Sequence, residues 1–372
     1  MQHICGRITP LALMTLLVGF TTRGAAPAIA CATVAWKGAQ VGVVDESALI
    51  VWNATAHQMH FIRRATFNSN TQHFGFLVPT PTRPTLSAVD DNVFTSLEDA
   101  IKPRVVERRL TGFAPGLLIG KIFAAGKQEG SIKTVTGGVR LLEMQHVAGY
   151  DAAVIAASDA GELLQWLKKH GYESRPALNG WLEPYVRNHW IITAFKISKD
   201  SQTDPMAASY AVRMSFTADK PFFPYREPAE TRANDGNFVP RSLRVYLLAQ
   251  GRMQATLGDT KTGNAWGATL KFAKPLNADL LAALKTHSKL DAGQLPEGGW
   301  LNAFEDLSSP RLGTDDVIFS SSIDQTPIEP QPIVHIIDER IIVPLEGVVL
   351  VTAVGIWLSS IVVAKRRKNT HN

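Results

Sequence analysis

Two apolar runs bracket this chain, and together they limit what can lie between them. Ile8–Phe20 (ITPLALMTLLVGF) follows Arg7, and Gly347–Ala364 (GVVLVTAVGIWLSSIVVA) is closed by Lys365-Arg366-Arg367-Lys368. A secretory leader has a basic start, an apolar core of about 7–15 residues and small residues at its cleavage site. The first run fits, and Ala28-Ile29-Ala30 supplies an A-x-A site before Cys31, with Ala26-Pro27-Ala28 as a second site just upstream. An uncleaved anchor needs about 20 apolar residues, whereas Pro10 and Arg23 bracket a shorter stretch. Cleavage is therefore expected. Cys31 at the new N-terminus raises lipid attachment, but the apolar core ends well upstream and Ala28 stands where a lipobox usually opens with Leu.

The second run is long enough for a bilayer. A helix rising about 1.5 Å per residue covers about 27 Å over residues 347–364, close to a hydrocarbon core of about 30 Å. No polar stripe interrupts it for a soluble surface. The basic residues beyond it are expected to stay in the cytoplasm by the positive-inside rule, leaving the body outside. The resulting plan is a leader over 1–30, an extracytoplasmic body over 31–322, a Pro-rich stalk over 323–345, a single membrane helix over 346–364 and a basic tail over 365–372. Gly355 and Ser359 have the small-xxx-small spacing at which two membrane helices approach closely, which would make a homodimer contact.

Charge must be read after the ends are set aside. The formal net charge is +5, but Arg7, Arg23 and Lys365–Lys368 account for six of the 38 basic residues. Residues 1–30 and 347–372 hold no acid, so the body carries 32 basic residues against 33 acidic ones. Nucleic-acid binders concentrate a basic excess, and this body has none. Cys5 leaves with the leader, so the mature chain keeps Cys31 alone and no intramolecular disulfide. Stability must come from a packed core.

Along the body, Ala48–Trp52, His60–Phe67 and Phe74–Val78 read as strands, the last stopped by Pro79, Pro81 and Pro84. A helix capped by Ser87 would place Val89, Val93, Phe94, Leu97 and Ile101 on one side. Residues 112–130 are Gly-rich and read as a mobile loop. Val139–Met144 and Ala152–Ala156 read as strands before a helix that Asp159 and Glu162 open as a capping box and Gly171 closes. Trp190–Ile197 and Ser209–Phe216 are expected to pair as a hairpin around Ser198–Pro205, which keeps the body one domain. Leu243–Leu248 and Ala268–Phe272 add strands, and Asn277 caps a third helix through Leu284. The three prolines of Gln325–Val334 suggest a semi-rigid spacer. Strands flanking single helices without βαβ alternation favour α+β, with a largely antiparallel sheet and about three amphipathic helices.

The segments Ala48–Trp52, His60–Phe67, Phe74–Pro81 (FGFLVPTP), Asp159–Tyr172, Leu182–Ile197, Pro221–Glu227 (PFFPYRE) and Asp315–Phe319 (DDVIF) give the chain a family likeness. In their order it resembles a family of exported bacterial proteins known only as a domain of unknown function, number twenty-three thirty. The resemblance spans most of residues 31–320. It implies export and a conserved body, and it brings no catalytic residues. Members often carry Cys-Gly or paired cysteines near the mature start; here Cys31 precedes Ala32 without a partner.

The search for chemistry yields little. His57 and His60 form an H-x-x-H, but across a turn into a strand, where such spacing points to opposite faces. No third ligand at metal-site spacing accompanies them. Gly116–Lys121 and Gly126-Lys127 lack the glycine offset and the Ser/Thr of a phosphate loop, and no G-x-S-x-G elbow exists. Cys31 has no histidine nearby to activate it. Glu305, Asp306, Asp315 and Asp316 are the weak catalytic candidates: paired carboxylates about 5–10 Å apart cleave glycosides, although adjacent acids also cap turns. Phe222, Phe223, Tyr225 and Trp300 would line a binding face or fill a core. No cofactor and no metal site are expected. The leading expectation is a non-enzymatic ectodomain that binds an envelope protein or polymer, with an envelope hydrolase as the alternative.

Overall fold

Side-chain alternation along the strands sets the layering. In the strand Val41–Asn53, Ala48, Ile50 and Trp52 enter one apolar cluster while Leu49 and Val51 enter another on the opposite face. In Phe74–Thr80 the residues Phe74, Phe76 and Val78 join the first cluster and Leu77 a third. This is the period-two geometry of strands buried on both faces. The computed structural model describes residues 33–35, 41–69, 74–116, 144–172, 176–197, 206–208, 210–229, 241–259, 263–308 and 311–369.

The largest sheet runs, in spatial order, Thr269–Pro275, Trp300–Asp306, Ser242–Ala249, Val41–Asn53, Gln58–Ser69, Val212–Thr217 and Thr85–Ala88, with Met206–Ala208 also beside Gln58–Ser69. Its pairings are antiparallel except the central one, where Val41–Asn53 and Ser242–Ala249 run parallel. A second sheet orders Thr33–Ala35, Phe74–Thr80, Ile191–Ile197, Tyr150–Ala156 and Met144–Val147. A third, smaller one joins Phe222–Phe223, Val317–Ser321, Met253–Leu257 and Asn264–Ala265. The three share the central apolar layer. The helices Ala160–Lys169 and Pro176–Arg187 cover the outer face of the second sheet. Asn92–Ile101 and Ala278–Ser288 cover the outer face of the largest. Helices thus sandwich strand layers, and the chain is strand-rich α+β.

Local chemistry explains where the elements begin. The Asp159 carboxylate accepts from Glu162 N at 3.0 Å, and Asn277 Oδ1 accepts from Leu280 N at 2.8 Å, as N-caps should. Gly171, at φ 87°, follows the first of these helices in the left-handed region. Ser87 is not a cap. It pairs with Arg213 in the strand Thr85–Ala88, and the helix starts at Asn92, whose N–H donates to Asp90 at 3.0 Å. A fourth amphipathic helix, Pro176–Arg187, escapes sequence reading because Pro184 inside it looks like a breaker.

The expected hairpin of 190–197 with 209–216 does not form. Ile191–Ile197 pairs with Phe74–Thr80 and Tyr150–Ala156, whereas Val212–Thr217 pairs with Gln58–Ser69 and Thr85–Ala88 in the other sheet. Each strand lies between two neighbours of its own sheet, so neither edge is left for the other. Residues 198–205, 117–143 and the leader lie outside the described residues. That removes the expected 112–130 loop beyond Gly116, and of the Val139–Met144 strand only Met144 is described, where Met144–Val147 begins.

The segment expected as a free stalk is tied down. Ile328 and Ala273 exchange backbone hydrogen bonds at 2.8 and 2.9 Å, and Arg252 N donates to Gln325 Oε1 at 2.8 Å. Beyond them, Ile333–Asp338 pairs in parallel with Val105–Leu110, and Ile341–Pro344 pairs in parallel with Phe113–Gly116. These two-stranded ribbons form an arm whose described side chains are nearly all exposed, and it leads directly into the tail helix Leu345–Asn369. Among the described residues no helix is long and apolar enough to cross a membrane. In the tail helix, side chains are described from Leu350 to Arg366.

Candidate functional site

The four candidate acids separate into different environments. Glu305 and Asp306 are neighbours on one strand and point to opposite faces. Glu305 stays near the rim, 3.8 Å from Arg244 and 3.5 Å from Lys271. Asp306 is fully buried, accepting from the Tyr225 hydroxyl at 2.7 Å and from Ser308 N at 2.9 Å. Asp315 pairs with Arg226 at the surface. Asp316 accepts from the Tyr185 hydroxyl at 2.8 Å and from Arg226 N at 3.1 Å. Part of Asp316 remains open to solvent, yet its carboxyl is enclosed by these donors. Burial pushes it up to about 6, against the pull of Tyr185 and Arg226. The 315–316 turn therefore acts as a latch between the helix Pro176–Arg187 and the third sheet. Trp181 Nε1 donates to Arg226 O at 2.8 Å and Gly258 N to Asp316 O at 2.8 Å. Asp306 and Asp316 have no described partner in common.

Asp306 belongs to a second group that sequence reading misses. Arg63 Nε donates to Glu46 Oε1 at 2.7 Å, and both side chains are sealed between the two large sheets. Arg311 lies 3.8 Å from Glu46 and 3.6 Å from Asp306, and Arg241 donates to Glu227 at 2.7 Å. Three carboxylates and three guanidinium groups thus share one buried layer. Aromatic faces line it, with the Arg63 guanidinium 4.4 Å from the Phe76 ring centroid. Burial raises the Glu227 pKa while Arg241 and Arg311 pull it down, and burial lowers that of Arg241. Mutual pairing is the physical condition for charges at such depth. None of the six side chains is more than 6% exposed, and their ion pairs tie strands to the segments packed between the sheets. The sequence signal was the pair Arg63-Arg64 inside the strand-like run His60–Phe67, of which alternation turns Arg63 inward.

Open concavities lie elsewhere. A groove of about 630 Å³ sits between the Asn53–Thr55 turn, Lys285 and the 292–299 loop, with Gln250 and Glu297 on its walls. A smaller one of about 260 Å³ is lined by Arg252, Gln254, Trp266, Phe304 and Ser322. Neither includes any of the four acids. Phe222, Phe223 and Tyr225 are core residues rather than a binding face, and Trp300 is half-buried. His57 sits at φ 49° in the turn with its ring edge-on to Trp52. His60 is buried, its Nδ1 2.8 Å from Ser215 Oγ, and burial with Arg213 nearby lowers its pKa to about 4. Among the described residues no group of three or more His, Cys, Asp or Glu could hold a metal ion. Cys31, Gly126-Lys127 and all of Gly116–Lys121 except Gly116 lie outside them.

Comparison with known proteins adds one firm likeness. Residues 25–292 match a family model described as "Uncharacterized protein conserved in bacteria (DUF2330)". No curated protein matches the chain. Among solved structures, baculovirus P35 is similar at a TM-score of 0.34 and 8% identity, over 79% of this chain and 97% of that one. A likeness so slight carries no argument.

Proposed function

Because the chain belongs to the DUF2330 family of uncharacterized bacterial proteins, we propose that it is an exported, single-pass membrane-anchored protein whose body binds another component of the cell envelope. The observation that carries this reading is the tail helix. Its described aliphatic and aromatic side chains are exposed all round, with Val351 at 73% and Ile356 at 70%. Such a surface is stable in lipid and not in water. The apolar sequence continues N-terminally to Gly347 and ends at the basic quartet 365–368, which sets the body outside. The leader-like start agrees with that orientation.

Binding, rather than catalysis, is favoured by the fate of the acids, which are consumed by internal hydrogen bonds and ion pairs. Alkaline carbonate extraction and protease treatment of spheroplasts test the placement. The protein should stay in the membrane pellet while its body is digested from outside; a protected body would overturn the reading. An envelope hydrolase draws on one observation, the Asp316 carboxyl that keeps its proton until about pH 6 beside the more exposed Asp315. Asp316→Asn should then abolish cleavage of envelope glycan or peptide in a folded protein, and unchanged envelope phenotypes would dispose of it.

A further inference from the structure

The larger open groove lies where the chain leaves the parallel pair of the largest sheet. Val41–Asn53 and Ser242–Ala249 run side by side in the same direction, so both stop at one end of the sheet, at Asn53 and Ala249. From there the chain parts. Asn53 turns back through Thr55 into Gln58–Ser69, whereas Gln250 leads away to Met253–Leu257 in the third sheet. Diverging exits from neighbouring parallel strands leave a crevice beyond their carboxyl ends, a recurrent place for ligands. Here the helix Ala278–Ser288 and the 292–299 loop wall it in. The resulting groove of about 630 Å³ has the size of small-ligand sites, about 300–1,000 Å³.

Its walls are pre-formed. Asn53 Nδ2 donates to Gly293 O at 3.2 Å, Leu276 N to Gly299 O at 2.9 Å and Gly299 N to Pro296 O at 3.1 Å. Asp291 N donates to Gln294 Oε1 at 2.9 Å and closes the first turn of the loop. A wall fixed in this way loses little freedom when a ligand docks. The lining sets two unlike charges over an apolar floor. Lys285 and Glu297 both line the groove, and among the described residues neither has an ion-pair or hydrogen-bond partner. The Gln250 amide and the Thr55 hydroxyl are equally uncommitted there, and Leu276, Leu281 and Leu295 supply the floor. Among the described residues no aromatic ring lines it, which removes the flat platform on which bases and sugar rings stack. One cation alone also makes a poor seat for a polyanion. We propose that the groove binds a short peptide with free ends. Lys285 takes the terminal carboxylate and Glu297 the terminal ammonium, as charge-assisted hydrogen bonds. Gln250 and Thr55 bond the peptide groups between, and an apolar side chain packs on Leu276 and Leu281. The inference rests on the reading of the body as a binder and names the class of molecule it takes.

The test uses the full-length chain, purified with its tail in detergent, and a mixture of tripeptides built from Ala, Leu, Lys and Glu. Equilibrium dialysis at up to about 1 mM peptide, read by mass spectrometry, should retain a subset of them. The best-retained tripeptide then enters calorimetry beside its N-acetyl and C-amide forms, each of which should bind about tenfold more weakly. Lys285→Gln should weaken the free tripeptide about tenfold and leave the C-amide form unchanged; Glu297→Gln should do the same with the N-acetyl form unchanged. Gly293→Leu adds a side chain to the wall where a Cβ meets nothing within 4 Å, and it should abolish binding. The thermal transition of the body reports that each variant is folded. Retention of no tripeptide, blocked forms that bind as tightly as the free one, or full binding by Gly293→Leu would each overturn the proposal. A chain that retains tripeptide but whose body is protected from protease in spheroplasts sinks the exported placement and keeps the groove. A digested body that retains none does the reverse.

Discussion

The inter-sheet layer of the body hides six charged side chains, whereas the arm and tail helix expose a long series of aliphatic ones. Each region inverts the rule for a protein in water, and each is stable for a different reason. The body balances its buried charges internally, since Glu46, Asp306 and Glu227 each face a guanidinium. The described side chains of the arm and tail have no such internal answer, which is why the proposed function assigns the tail to lipid. A buried charge is thus no evidence of a site, and an exposed apolar surface is better evidence of a contact.

The sharpest way to break the comparison is to remove one member of the buried layer. Arg63→Met should cost about 3–5 kcal/mol in urea unfolding, because Glu46 loses its 2.7 Å partner at full burial. A loss below about 1 kcal/mol would show that the layer is wet. Next, Val354→Arg should raise the cost of placing the tail in a bilayer by about 2.5–3.5 kcal/mol, read as release on carbonate extraction, while the unfolding of the body stays unchanged. If the body also loses stability, the two regions are coupled and the contrast fails.

A smaller effect separates two buried titrating groups within the body. Asp316 binds its proton more tightly folded than unfolded, so stability falls as pH rises from about 4 to about 6. His60 runs the other way. Its folded pKa is about 4 against 6.5, so stability is lost as pH falls through that interval. The slopes oppose each other in the native protein. Asp316→Asn should leave the His60 slope bare and steepen acid destabilisation by about 1–2 kcal/mol over the window, allowing for solvent at the latch. Unfolding free energies measured at stepped pH check the sign. Least of all, Asp159→Ala should remove about 1 kcal/mol through the lost cap on Glu162 N.

What was legible in the sequence was local. The caps Asp159 and Asn277, the strands around Ala48–Trp52 and His60–Phe67, and the neutral body all follow from neighbouring residues. Pairing choices were not legible, since proximity in the chain suggested that Ile191–Ile197 and Val212–Thr217 pair and nothing in either names its sheet. The buried layer was hidden for a similar reason. Its members Glu46, Arg63, Glu227, Arg241, Asp306 and Arg311 are scattered over most of the chain, and even Arg63 stands beside Arg64, so that only strand alternation tells which of the two is buried. For the four acids, spacing alone suggested a pair, whereas strand alternation sent Glu305 and Asp306 apart.

The parallel ribbon also has a meaning in time. Arg109 and Glu339, joined across it, are 230 residues apart in the chain. Its first strand is made early and waits, with its hydrogen-bonding edge open, until Ile333–Asp338 has been synthesised. Contacts of such sequence separation close late and slowly, and an unpaired edge is a hazard in the interval. Closure of the arm is therefore a checkpoint in synthesis: a chain cut short before Ile333 cannot form it, and one that has passed Asp338 can.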